Sequence, residues 1–243
     1  SRPLPFGPAQ QLYPTMLIAL DVSGSMTEPL GGYVIDGRLN TGGITRFEAS
    51  QDLLKEFIGR HPGTKFGLIL FSVRPMLVRW PTVQTDYDFR DVLDEGMKYT
   101  NRARQRPAQL ARFAGGTATR AGLLVAGDVL DKQGAAARSL VLIGDLIDNT
   151  QEIIEGIKAF DLDETYVHVI AMDPEPQSLE TVTAAFDGEP NVRVFTVVSV
   201  EELDEAFSSI ESAELDRQGG GGRNYVQDMR WFIALSGFFL ALA

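Results

Sequence analysis

Residues 15–26 read TMLIALDVSGSM, a short apolar run followed by a turn rich in oxygen-bearing side chains. The run from Thr15 to Leu20 is typical of a buried strand, because it is short and carries no charge. Asp21, Ser23 and Ser25 follow at alternate positions. A carboxylate and two hydroxyls are the hard oxygen ligands that Mg²⁺ and Ca²⁺ prefer. The same residue types also occur in polar turns that cap helices, so the motif alone leaves both interpretations open.

The composition limits the classes of protein, of partner and of metal site that the chain can represent. The chain has 243 residues, of which 44% are hydrophobic, and this suits one large globular domain with short appendages. Its net charge of -11 argues against a nucleic-acid partner, since such partners are bound through cationic contacts to phosphate. With no cysteine, the chain cannot form a thiolate metal site, and a bound metal would need oxygen ligands or the two histidines.

Short runs of Val, Ile and Leu alternate with helical patterns along most of the chain. This alternation predicts an α/β fold, with a doubly wound, mostly parallel sheet of about six strands and helices on both faces. The strands are predicted at residues 15–20, 65–72, 74–80, 138–144, 165–171 and 191–198, the third of them at a sheet edge because it contains a proline. The helices are predicted at residues 46–60, 86–97, 118–130, 151–159, 177–186 and 200–215.

Two later loops add oxygen ligands to the first motif. Thr117 lies in a glycine-rich turn before a helix, and Asp145 directly follows the fourth predicted strand. Ligands of doubly wound sheets bind beyond the carboxyl ends of the strands, which meet at one edge when the strands are parallel. We therefore expect both residues to lie near Asp21, and the sequence predicts a metal site formed by Asp21, Ser23, Ser25, Thr117 and Asp145.

These segments resemble the von Willebrand factor A domains. The metal-ion-dependent adhesion site of that family has the pattern Asp-x-Ser-x-Ser, then a threonine in a second loop and an aspartate in a third. The turn after Leu20 matches the first element, the stretch GGTAT at residues 115–119 the second, and Asp145 the third. One departure is in the third loop, where the family often has Thr-Asp-Gly and this chain has Gly144 and Leu146 beside the aspartate. The resemblance covers about residues 15–215.

The ligand types indicate how such a site would work. Mg²⁺ favours near-octahedral oxygen coordination and retains water, and Ca²⁺ or Mn²⁺ are alternatives. Hydroxyls fill coordination positions without offsetting the charge of the ion, and the set contains only two carboxylates. We therefore expect a position that an Asp or Glu of a protein partner can occupy.

A narrower resemblance is to the bacterial membrane-anchored von Willebrand A proteins of the Bat aerotolerance type and to the related methanol-oxidation accessory proteins. It is carried by the stretch around the motif, by RFEA at residues 46–49, by FGLI at residues 66–69 and by the apolar C-terminus. This resemblance implies a partner system with a MoxR-type AAA+ ATPase. It also implies a location in the bacterial inner membrane, with the domain on the periplasmic side.

The C-terminus predicts a membrane attachment. Residues 231–243 read WFIALSGFFLALA, which is shorter than the about 20 residues of a spanning helix. A truncated span, an interfacial anchor and a helix docked on another subunit are the three interpretations, and we favour the first. The predicted organisation is an extended lead-in at residues 1–14, the domain at 15–216, a glycine-rich linker at 217–224 and the hydrophobic helix at 225–243.

Two further segments have more than one interpretation. Residues 98–112 carry basic and no acidic side chains, and form either a solvated face or a contact for an acidic partner or anionic lipid. The glycine-rich segment from Thr27 to Thr45 is either a disordered insertion or a specificity loop beside the metal, and we favour the loop because it begins at the motif itself. The arginines predicted to contact a partner are Arg102, Arg104, Arg106 and Arg112.

The sequence favours a binding module over an enzyme. A haloacid-dehalogenase-like phosphatase needs a second aspartate two residues after Asp21, where this chain has Ser23. His61, beside a proline, and His168, within an apolar run, are predicted to be structural. The alternatives are a structural subunit whose metal only stabilises the fold, and a metal-dependent phosphoryl hydrolase.

Overall fold

A central strand, β1 (Thr15–Asp21), forms the middle of a six-stranded sheet, and all seven of its residues are buried. The computed structural model describes residues 13–31, 34–35, 38–39, 43–83, 117–133, 137–146 and 150–217. Because β1 is buried on both faces, it carries an unbroken apolar run and no polar alternation.

The sheet has the strand order β5-β4-β1-β6-β7-β8, and every neighbouring pair is parallel except β4 and β5. The predicted α/β fold with a mostly parallel sheet of six strands is therefore confirmed. Strand order reverses between β1 and β6, so the switch point of the sheet lies at the end of β1. The strands after β1 are β4 (Lys65–Phe71), β5 (Pro75–Val83), β6 (Arg138–Gly144), β7 (Thr165–Met172) and β8 (Val192–Val197).

Helices pack on both faces of the sheet. One face carries a core in which Leu17 and Ile69 of the sheet meet Leu123 and Ile153 of helices. On the other face, Phe57 packs edge-on against Phe66, with ring centroids 6.0 Å apart. The helices of this part of the chain are α1 (Arg46–Arg60), α2 (Thr119–Asp131), α3 (Thr150–Lys158) and α4 (Pro176–Ala185). A further helix, α5, comprises residues 200–217.

The observed elements lie within three residues of their predicted bounds. The edge strand β5 continues to Val83 through Pro81, which is tolerated because, within the described residues, one side of this strand has no partner strand. A two-stranded hairpin, β2 (Val34–Ile35) and β3 (Arg38–Leu39), lies in the segment predicted as a loop. Strands of two residues are too short to give a periodic sequence signal. The helix predicted at residues 86–97 lies outside the described residues.

By its internal contacts the chain divides into two compact units, residues 1–204 and 205–243. In the second unit the structure describes residues 205–217, where Arg217 forms an ion pair with Glu214 at 3.2 Å. The glycine-rich linker and the hydrophobic helix predicted after residue 217 lie outside the described residues, and these boundaries stay predictions.

Candidate metal centre

The turn after β1 brings the two serine hydroxyls together. The backbone N–H of Ser23 donates to Asp21 Oδ1 at 2.7 Å, and this bond holds a carboxylate that is 2% exposed. A 3-10 helix from Gly24 to Thr27 then bends the chain, so that Ser23 Oγ and Ser25 Oγ lie 3.0 Å apart. Ser23 occupies the N-cap position of this helix, yet its side chain makes no capping hydrogen bond. The hydroxyl is therefore not used for the capped turn that was the alternative interpretation of the motif.

Asp145 lies at the same edge, directly after β6. Its residue is 3% exposed, and the adjacent Gly144 lies against Asp21. A Cβ atom on Gly144 would stand 3.2 Å from Asp21 Cβ and 3.4 Å from Asp21 Oδ2, so the glycine allows the ends of β1 and β6 to approach closely. Leu146 has a φ of 56°, a left-handed conformation that glycine adopts easily. At position 146, where the resemblance implies a glycine, the backbone of Leu146 is therefore glycine-like.

Thr117 lies at the same end of the sheet. The backbone N–H of its neighbour Ala118 donates to Ser72 O at 2.5 Å, and Ser72 directly follows β4, which pairs with β1. Thr117 is partly exposed and lines an open cavity of about 530 Å³ together with Arg120 and Leu124. All five predicted ligands therefore belong to segments at the carboxyl ends of β1, β4 and β6, although their role as ligands stays a prediction.

Arg46, at the start of α1, is the main residue of this edge that the sequence analysis did not assign to the site. It is 7% exposed, and its Nε donates to Asp173 Oδ2 at 3.1 Å. One terminal nitrogen donates to Ser25 O at 3.3 Å and lies 3.6 Å from both Asp145 Oδ2 and Glu28 Oε2. A single guanidinium therefore connects the first turn, the third loop and the end of β7.

Asp173 and Glu28 were also missed. Asp173 directly follows β7 and accepts a second hydrogen bond, from Gly31 N at 3.1 Å. The strand-end rule that identified Asp145 applies equally to Asp173, and this signal was available in the sequence. Glu28 gave no such signal, because its contact with Arg46 depends on how the 3-10 turn folds back towards α1.

The start of α1 is fastened to the motif turn through the backbone. Arg46 N donates to Glu28 O at 3.0 Å, and Glu28 N donates to Ser25 O at 3.0 Å. Thr45 and Glu48 form a capping box at the same helix end, and hydrogen bonds from the backbone and hydroxyl of Thr45 hold the pKa of Glu48 below its usual value of 4.5. The turn that carries the serines is therefore held at both of its ends by regular structure.

The available atoms fit a hard cation bound mainly by neutral oxygen. Two oxygens that share an octahedral Mg²⁺ at about 2.1 Å are roughly 3 Å apart, which matches the separation of the two serine hydroxyls. Within the described part of the chain, no three His, Cys, Asp or Glu side chains cluster so that they could hold a metal ion. A site here must therefore rely on hydroxyls beside Asp21 and Asp145.

The other predicted features lie elsewhere. His61 Nδ1 is 2.7 Å from Phe57 O at the end of α1, and His168 is fully buried in the middle of β7. The four arginines predicted to contact a partner, Arg102, Arg104, Arg106 and Arg112, lie outside the described residues.

A doubly wound sheet with hydroxyl and carboxylate oxygens at its switch point defines an α/β binding domain. The family model of the von Willebrand factor type A domain matches residues 16–148, which is more than half of the chain and includes all five predicted ligands. The chain therefore belongs to the von Willebrand factor type A domain family. No curated protein matches it significantly in sequence.

Solved structures with the same fold include a variant of the PilB minor pilin from Streptococcus sanguinis. It is 18% identical with a TM-score of 0.58, and the match covers 87% of this chain and 64% of the pilin. An aerotolerance-related membrane protein from Bacteroides fragilis is 16% identical with a TM-score of 0.55, over 81% of this chain and 97% of that one. BatB from Bacteroides thetaiotaomicron is 15% identical with a TM-score of 0.50, over 82% and 99%.

These similarities show the fold alone, because all three identities are low. The chain spans about two thirds of the length of the pilin and nearly all of the two Bacteroides structures. Across the residues that the structure describes, no helix is long and apolar enough to cross a membrane. The predicted membrane helix at residues 225–243 lies outside them.

Proposed function

We propose that this chain is a metal-dependent protein-binding module. The observation that carries the proposal is the meeting of the motif turn and Asp145 at the switch point of the sheet. There Ser23 and Ser25 present hydroxyls 3.0 Å apart beside two carboxylates that are 2% and 3% exposed. The Ser23 hydroxyl makes no capping hydrogen bond, and buried carboxylates are normally retained only where a cation or a hydrogen-bond donor offsets their charge.

Asp21, Ser23, Ser25, Thr117 and Asp145 would hold Mg²⁺, with Ca²⁺ or Mn²⁺ as alternatives. When bound, the ion supplies an electrophilic position for a carboxylate oxygen. The protein supplies the rest: Ser23 N–H orients Asp21, and Gly144 allows the two strand ends to approach. The partner would provide an Asp or Glu side chain that coordinates the ion in place of water, and no covalent bond is made or broken in the recognition.

The resemblance to the Bat aerotolerance proteins extends the proposal to the cellular location and the partner of the chain. Two structures with this fold are described as an aerotolerance-related membrane protein and as BatB, and this supports membrane association for the present chain. We place the module at the bacterial inner membrane, with its domain on the periplasmic side and its C-terminal helix as the anchor. A MoxR-type AAA+ ATPase system is the proposed partner system.

The test compares the full chain with its Asp21→Ala, Asp145→Ala double variant. Mg²⁺ binding is measured by titration calorimetry, and complexes are measured by cross-linking in the membrane followed by mass spectrometry, with and without EDTA. An Asp128→Ala, Asp131→Ala variant is the matched control, since it removes two aspartates from α2 that pair with Lys132 and Arg138. We expect the first variant and EDTA to abolish both metal binding and the complex, and the control to retain both.

Other outcomes separate the alternatives. If chelation lowers only the melting temperature and the complex persists, the chain is a structural subunit whose metal stabilises the fold. If the folded double variant holds its partner as tightly as the wild type, the proposal is wrong. Hydrolysis of a phosphatase substrate panel with Mg²⁺, lost in the double variant, would instead establish a phosphoryl hydrolase.

A further inference from the structure

Arg46 is a buried cation placed beside one of the proposed metal ligands. Its side chain is 8% exposed, and its guanidinium lies 3.6 Å from Asp145 Oδ2 and 3.1 Å from Asp173 Oδ2. Charged side chains are rarely buried to this extent unless they are paired. The arginine therefore offsets negative charge at the very edge where a divalent cation would do the same.

The contacts of Arg46 differ in strength along the guanidinium. Its Nε makes a hydrogen bond of ordinary length to Asp173, which is also fixed by Gly31 N. Its terminal nitrogen makes a longer hydrogen bond, of 3.3 Å, to Ser25 O, and its 3.6 Å approaches to Asp145 and Glu28 exceed hydrogen-bond distance. The arginine is thus anchored through Asp173, and its outer end is held more loosely near the metal ligands.

We propose that Arg46 is the resident countercation of Asp145 and thereby sets the metal affinity of the site. A divalent ion bound by Asp145 must share that carboxylate with the guanidinium, and two cations within a few ångströms of each other repel. Asp173 limits this competition, because it accepts the strongest hydrogen bond of Arg46 and holds the guanidinium towards β7. The inference rests on the proposed metal site, and it assigns Arg46 and Asp173 a role in tuning that site.

The test measures Mg²⁺ affinity of the full chain by titration calorimetry with MgCl₂, together with the melting temperature. Arg46→Gln removes the charge, and we expect the dissociation constant for Mg²⁺ to fall about tenfold, which is about 1.4 kcal/mol. We also expect a lower melting temperature without Mg²⁺ and a larger rise on its addition, since the ion then compensates a carboxylate charge that Arg46 no longer offsets. Arg46→Lys keeps the charge and should stay within about threefold of the wild type.

Arg138→Gln is the matched control. Arg138 is also largely buried and pairs with two carboxylates, Asp131 and Glu164, but it lies at the amino end of β6, opposite Asp145. This variant should lose thermal stability with no change in Mg²⁺ affinity. A purely structural role for Arg46 would give the same result in Arg46→Gln, and that result would overturn the inference.

Asp173→Asn gives a second, independent measurement if Arg46→Gln does not fold. Without its anchor the guanidinium is free to move onto Asp145, so Mg²⁺ should bind about three- to tenfold more weakly. Unchanged or tighter binding in Asp173→Asn, or weaker binding in Arg46→Gln, would contradict the inference. Absence of Mg²⁺ binding in the wild type and in every variant would instead refute the metal site itself, and the inference with it.

Discussion

At the scale of single residues, Leu146 combines an unfavourable backbone with a favourable environment. Its φ of 56° lies in the left-handed region, which costs a residue with a Cβ atom roughly 1–2 kcal/mol. Its side chain is 5% exposed and belongs to the core that includes Leu123 and Ile153. Burial of the leucine side chain offsets the cost of its backbone, and the loop keeps the turn that presents Asp145.

Replacing Leu146 separates these two effects. We expect both Leu146→Ala and Leu146→Gly to be less stable than the wild type by about 2–4 kcal/mol, because both lose the buried side chain. Leu146→Gly should nevertheless be the more stable of the two by about 1 kcal/mol, since glycine adopts the left-handed conformation without strain. Urea denaturation measures both, and a more stable alanine variant would contradict the strain argument.

The residues of the site differ in how far the sequence could reveal them. Asp21, Ser23 and Ser25 lie within five positions of each other, so a short sequence motif is enough to identify them. Asp145 and Thr117 could be assigned to the site only through the predicted topology, because only parallel strands bring their loops to one edge of the sheet. Arg46 could not be assigned from the sequence, since its role depends on a side chain that reaches from a helix start to the ends of two strands.

At the scale of elements, close packing between helices depends on a glycine. Gly156 of α3 lies against Leu123 of α2, where an added Cβ would stand 3.0 Å from the Cβ of that leucine. Among the residues that the structure describes, nothing lies within 4 Å of the Cβ position of Gly59, near the end of α1. Periodicity predicted α1 and α3 correctly. It gave no information about which of their glycines a neighbouring residue requires.

Alanine at these two helical glycines should have opposite effects. Gly156→Ala is expected to destabilise the fold by about 1–3 kcal/mol, because the helices must move apart. Gly59→Ala is expected to stabilise it by about 0.5–1 kcal/mol, because alanine is the better helix former and meets none of the described residues. Thermal and urea denaturation of both variants provide the comparison, and a Gly156→Ala variant at least as stable as the wild type would show that the contact is unimportant.

The N-terminal cap of α1 should make stability depend on pH. Hydrogen bonds from the backbone and hydroxyl of Thr45 favour the charged form of Glu48 and lower its pKa below 4.5. The carboxylate therefore contributes stability above pH 4.5, and this contribution is lost as the pH falls through the lowered pKa. We expect Glu48→Gln to be less stable than the wild type at neutral pH, and the difference to disappear in acid.

Denaturant titrations of the wild type and Glu48→Gln at several pH values test this expectation. Other carboxylates titrate in the same range, so the informative quantity is the difference between the two proteins at each pH. A difference that does not change with pH would contradict a role for the charged carboxylate.

At the scale of the whole molecule, alternation of strand and helix was sufficient to predict the architecture. The strands β1, β4, β6 and β7 are largely apolar runs that end in a turn, and right-handed crossovers leave few ways to arrange such runs. The C-terminal domain boundary could not be predicted from periodicity. It was placed from the glycine-rich composition near Gly219 to Gly222. The membrane anchor therefore still rests on the apolar character of residues 231–243.

Alkaline carbonate extraction tests the anchor directly. Membranes from bacteria that express the full chain should retain it in the pellet, because a hydrophobic helix is not released by high pH. A variant that ends at residue 224 should move to the soluble fraction. Release of the full chain, or retention of the shorter variant, would show that the apolar segment does not hold the protein in the membrane.

The central position of β1 also determines at which point of synthesis the predicted ligands can come together. Asp21 is synthesised about 120 residues before Asp145, which at roughly 5–20 residues per second corresponds to a delay of roughly 6–24 s on the ribosome. During that interval β1 can pair with β4 but not with β6, so one side of the most buried strand has no neighbour. The two halves of the binding edge meet only when β6 docks. The proposed metal site can therefore form only in the completed fold, and we expect a nascent chain to lack it.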